Sequence, residues 1–151
     1  MTAATILPAT LAEVLAYRHP GVVRRYVKEQ HASREEAEEV FQETLKWLYL
    51  CGCSLREDFA CSMTPEIAKL DEMWHTFLMF TRDYADFCER YFGFFLHHVP
   101  NEAEEEEEAR AEGAEAVGEQ LERQFGLVYD VLGEDTLKRW YEEERYAAAT
   151  A

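Results

Sequence analysis

The residues with the clearest potential for chemistry lie between Leu70 and Pro100. Asp71 and His75 are four apart in a stretch of helical spacing, so both side chains project from one face, one turn apart, and can reach one ion. Trp74, Phe77 and Leu78 surround them, and burying a carboxylate and an imidazole among such neighbours costs free energy unless something pairs with them. Cys88 follows on the next segment, with His97 and His98 just beyond it. If the two segments fold back as a hairpin, Asp71, His75, Cys88 and one or both of His97 and His98 converge. That donor set suits zinc, with iron, copper or another transition metal as alternatives. Adjacent histidines usually point in different directions, so one of His97 and His98 is expected to bind and the other to support it through a hydrogen bond. Three ligands would leave an open position for water and hydrolytic or oxidative chemistry; four would make the metal structural. The alternative is an Asp71–His75 hydrogen bond with Cys88 as an unrelated core thiol. Neither a CxxC nor an HExxH signature occurs.

The elements that must position these residues follow the helical period. Thr10 precedes the short apolar-faced segment Leu11, Val14, Leu15, which is expected to stop at His19-Pro20-Gly21. A second short helix carries Val22, Val23, Tyr26 and Val27. Ser33 with Glu36 fits a capping box for a core helix through Ala37, Val40, Phe41, Thr44, Leu48 and Cys51, with Gly52 expected to end it. Residues 53–63 then read as a loop. Thr64-Pro65-Glu66 opens the helix of Asp71 and His75. Thr81 is a candidate cap for a segment carrying Tyr84, Phe87, Cys88, Tyr91 and Phe92 up to Gly93. The stretch Phe94 to Pro100 is either a final turn or an extended segment on the core. Val117, Leu121, Phe125, Val128 and Leu132 resume the helical spacing, and a last helix holds Leu137, Trp140 and Tyr141. Nothing alternates as a strand would. The expectation is an all-α, single-domain helical bundle of five to seven helices over residues 1–151.

The 151 residues carry 15 basic and 31 acidic side chains, a net charge of −16. Ten of the acids fall between Glu102 and Glu122 against Arg110 alone, so residues 102–112 form an acidic linker or exposed helix start. A hydrophobic fraction of 48% excludes global disorder. The negative field argues against nucleic acid or an anionic membrane as partner, and favours a metal or a basic peptide or protein. No targeting signal and no apolar run of about 20 residues is present, so a cytoplasmic location is expected. Without a secretion signal, Cys51, Cys53, Cys61 and Cys88 are thiols or ligands and not a disulfide framework. Cys51 fits the apolar face of its helix, while Cys53 and Cys61 in the loop form the more reactive pair. His19 and His31 sit beside helix ends, where a C-terminal dipole favours a cation.

The segment Leu70-Asp71-Glu72-Met73-Trp74-His75, followed by Tyr84, Cys88, Gly93 and His97, resembles the bacterial members of the glycine-rich domain-containing protein-like family. The resemblance extends more weakly over Thr44 to Leu50 and to Phe125-Gly126 and Trp140. Some members carry a second histidine two residues after the first, where this chain has Phe77, and the glycine-rich region is absent. The resemblance implies a fold unit with a polar cluster, and it adds weight to that cluster as a site. Two functions follow: a small metal-binding protein, or a non-enzymatic interaction or accessory protein whose acidic segment recruits a basic partner and whose Asp71–His75 pair is structural.

Overall fold

A computed structural model describes residues 7–99 and 114–148, with side chains in the second stretch from 118 onward. Seven α-helices and no strand occur among the described residues: α1 (Leu11–Leu15), α2 (Pro20–Gln30), α3 (Arg34–Arg56), α4 (Ala68–Leu78), α5 (Thr81–Tyr91), α6 (Ala114–Leu132) and α7 (Glu134–Leu137). A 3₁₀ turn at Pro65–Ile67 leads into α4, and a π turn at Lys138–Glu142 extends α7. The fold is all-α, as the spacing implies. The acidic segment 102–112 lies outside the described residues.

Local chemistry sets the helix starts. The Thr10 hydroxyl accepts from the Glu13 amide at 3.2 Å while the Glu13 carboxylate accepts from the Thr10 amide at 3.1 Å, a reciprocal capping box. Pro20 is the first residue of α2, and His19 caps it by accepting from the Val22 amide through Nδ1 at 3.1 Å. His19 therefore serves a helix N-terminus, which corrects the expectation of a C-terminal dipole contact. Ser33 Oγ accepts from the Glu36 amide at 3.0 Å. Thr81 begins α5 within the helix, and no side chain caps that end.

The central element is α3, which packs against α1, α2, α4 and α6. It is buried nearly all round in its middle, where Phe41, Leu45, Trp47, Leu48 and Leu50 are enclosed. Gly52 does not end it. A Cβ there would meet Leu7 Cδ1 at 3.2 Å and Phe92 Cδ1 at 3.4 Å, so the glycine admits close neighbours inside the helix. The helix runs on to Arg56, and Asp58, at φ 61°, turns the chain out of it. Cys53 is consequently a buried helical residue and not a loop thiol.

Two polar ties fasten the remaining elements. Buried Gln124 on α6 accepts from the Ser62 amide at 2.7 Å and donates to the Ser62 carbonyl at 3.0 Å, holding the segment after α3. Buried Glu43 on α3 accepts from the Trp140 indole and from Arg139, each at 3.1 Å, and pairs with Lys46 at 2.7 Å. The second tie locks the C-terminal turn onto the core.

Candidate metal centre

Helix α4 turns Leu70, Met73, Trp74 and Phe77 into the core. Asp71 and His75 consequently lie along its edge, one turn apart, with the Asp71 carboxylate 3.8 Å from His75 Nε2. The third polar group arrives from beyond α5. Gly93, at φ 80°, ends that helix with its amide bonded to the Cys88 and Glu89 carbonyls, and the left-handed conformation lets the chain reverse toward α4. The segment that follows is irregular and lies on the core through buried Leu96. Its position is fixed by a relay: the Trp74 indole N–H donates to the Tyr84 hydroxyl at 3.0 Å, and that hydroxyl donates to the Leu96 carbonyl at 2.6 Å.

Two residues later His98 Nε2 lies 2.7 Å from Asp71 Oδ1. The His98 ring packs edge-on to Trp74 at 4.4 Å and against His75 at 4.3 Å between ring centres. One donor atom from each of Asp71, His75 and His98 lies within 4.8 Å of the others. The side chains are 29%, 55% and 13% exposed respectively, so the group opens to solvent on the His75 side. This is a rim site, not the buried cluster that the apolar neighbours of Asp71 and His75 imply.

Two other candidate ligands stand apart from this group. Cys88 is fully buried on the inner face of α5, where desolvation pushes its thiol up. A ligand thiol must deprotonate, and this one is held neutral in the core. His97 is exposed and packs on Phe95 at 4.7 Å, because successive residues of an extended segment face opposite ways. The spacing in the sequence picks out Tyr84 only as an apolar-face residue. Its role as the bridge to Leu96 depends on the chain reversal, which no local pattern encodes.

The thiols also pair differently from expectation. Half-buried Cys61 is hydrogen-bonded to Cys51, and that bond holds its thiol below the ordinary range, whereas burial pushes Cys53 up to about 11. The reactive candidate is thus Cys61 beside Cys51, with Cys53 close by but kept protonated by burial.

The arrangement defines an all-α protein carrying a two-histidine, one-carboxylate group on the rim of its central helices. The chain belongs to the UCP032817-like family, whose pattern matches residues 10–120. That match corrects the resemblance to the glycine-rich domain-containing protein-like family. In the fold, the D-x-x-W-H pattern is what an amphipathic helix places at its boundary, Trp74 inward and Asp71 with His75 at the edge, and such a pattern does not by itself distinguish families. No curated protein and no solved structure matches the chain. No helix among the described residues is long and apolar enough to cross a membrane.

Proposed function

We propose that this protein binds a divalent transition metal, zinc foremost, through Asp71, His75 and His98, leaving coordination positions for water or a substrate. The observation that supports this reading is the convergence of three donor atoms within 4.8 Å from two separate parts of the fold. Tetrahedral zinc with bonds near 2.05 Å separates its ligand atoms by about 3.3 Å. The Asp71 Oδ1–His98 Nε2 distance of 2.7 Å would open slightly, and His75 Nε2, 3.8 Å from the other carboxylate oxygen, Oδ2, would shift to meet the same ion. The exposed imidazole of His75 has the freedom to make that adjustment. Two imidazoles and one carboxylate are also a donor set for iron(II), so the site could serve Lewis-acid or oxidative chemistry according to the metal loaded.

The test is metal content by plasma mass spectrometry on untagged protein, together with zinc and iron(II) titrations followed by calorimetry. One metal per chain is expected, lost in His75→Ala and Asp71→Asn and retained in His97→Ala. Zinc at about 100 times its dissociation constant should add about 2.7 kcal/mol to stability. Absence of tight binding in the parent chain, or equal binding in His75→Ala, overturns the reading.

A second reading rests on the 2.7 Å contact between Asp71 and His98, which satisfies both groups without an ion. The pair would then be structural, and the acidic run at Glu104 to Glu108 would recruit a basic peptide or protein. Salt-sensitive capture of such a partner, abolished by deleting residues 102–112 with helical content intact, supports this second reading.

A further inference from the structure

A cavity of about 530 Å³ opens where α2 meets the start of α3, away from the Asp71 group in the chain. Its walls differ in character. Val27 and the narrow exposed edges of Val23 and Phe41, 8% and 2% exposed, give it an apolar floor, while Arg18, Arg24 and Arg34 also line it, against Glu38 as the one acid there. In a chain of net charge −16, such a concentration of positive charge is a local inversion of the field. The three cations differ in how they are engaged. Arg18 donates to the Leu15 and Tyr17 carbonyls at 2.6 and 3.0 Å, and Arg34 pairs with Glu38 at 3.0 Å. Arg24 has no hydrogen bond or ion pair among the described residues. The base of the cavity is firm: His19 is held at Nδ1 by the Val22 amide and at Nε2 by Asp83 at 2.7 Å, which fixes its ring in the wall.

We propose that this cleft binds a small amphipathic organic anion, its carboxylate or phosphate head on the arginines and its apolar body on Val23, Val27 and Phe41. Guanidinium forks match both head groups, and a cavity of this size takes a small molecule. A nucleic acid strand does not fit the same features, because a chain of net charge −16 repels a long polyanion beyond the few arginines of the cleft. The metal group is not needed for binding here, so this inference stands independently of it.

The test is titration of the full chain with octanoate, octyl phosphate, octanol and inorganic phosphate, followed by calorimetry and amide chemical shifts. Octanoate or octyl phosphate should bind and shift the amides of Val23, Val27 and Phe41, and the tighter of the two identifies the head group. Octanol and inorganic phosphate should each bind at least about tenfold more weakly, since each supplies half of the recognition. Arg24→Gln should weaken the anion by about tenfold. Arg25→Gln, which loses the same charge from the residue paired with Glu29 at 3.4 Å, should leave it within about twofold. Equal affinity for octanol, equal effects of the two substitutions, or shifts confined to other residues overturns the proposal.

Discussion

Replacing Glu43 by alanine is the most direct probe of how the C-terminal turn is held. Glu43 is 4% exposed and accepts from the Trp140 indole and Arg139 while pairing with Lys46. Truncation leaves a fully buried indole N–H without a partner, which costs about 1–3 kcal/mol. The pairs with Lys46 and Arg139 involve side chains 19% and 25% exposed, so solvent screening limits each to about 0.5–1 kcal/mol. Losing the stem methylene adds about 0.8 kcal/mol. The total is about 3–6 kcal/mol, or a fall in Tm of roughly 6–24 °C. Glu43→Gln keeps an oxygen for the indole and the stem, and should cost only about 1 kcal/mol. Urea unfolding followed by circular dichroism and tryptophan fluorescence measures both. A cycle with Trp140→Phe isolates the buried bond, with a coupling of about 1–2 kcal/mol expected. Equal losses for the alanine and glutamine variants, or no coupling in the cycle, would refute the reasoning.

Two further outcomes follow from the ionisable groups. Iodoacetamide at about pH 7 should label Cys61 first, because its hydrogen bond to Cys51 favours the thiolate, while burial suppresses Cys51, Cys53 and Cys88; mass spectrometry showing Cys53 modified first would contradict this. Burial, with Asp83 nearby, pushes Tyr17 up to about 12, and burial raises Tyr26, Tyr84, Tyr141 and Tyr146 as well. The unfolded chain loses these protons near pH 10 and the folded chain keeps them, so their contribution is complete below about pH 10 and lost as pH rises toward the folded values. Each tyrosine steepens the loss by about 1.4 kcal/mol per pH unit in that window. Urea midpoints should therefore fall sharply above about pH 10, and full tyrosinate absorbance in a chain still helical at about pH 10.5 would be inconsistent with it.

The parts of this fold written in local chemistry are legible in the sequence. Thr10 with Glu13 and Ser33 with Glu36 mark helix starts that depend on three-residue hydrogen bonds, and the apolar spacing of α3, α4 and α5 needs only the helical period. Gly52 misleads because a glycine after an apolar run commonly ends a helix, whereas here it is selected by the approach of Leu7 and Phe92 from distant segments. For the candidate site, the four-residue spacing of Asp71 and His75 fixes their common face. Which residue joins them depends on the reversal at Gly93 and on the Tyr84 contact with Leu96, both tertiary. The arginine cleft has a compositional signal in the sequence: Arg18, Arg24, Arg25, Lys28 and Arg34 concentrate basic residues within a short stretch of an acidic chain.

The same tertiary contacts decide whether the Asp71 group can hold a metal against its own hydrogen bond. On one side the group is rigid, since His98 is carried by a segment pinned through Tyr84 and wedged against Trp74. On the other side His75 is exposed and free to move. Binding therefore requires giving up one charge-assisted contact, about 1.5–3 kcal/mol, and ordering one imidazole, a further cost of roughly 1 kcal/mol. Zinc in a complete four-ligand protein site contributes about 10–16 kcal/mol near neutral pH. Even a three-ligand site realising half of that exceeds the local cost. The Asp71–His98 contact is thus compatible with metal loading, and under the proposed metal function it would hold two of the three donors close to the geometry an ion needs.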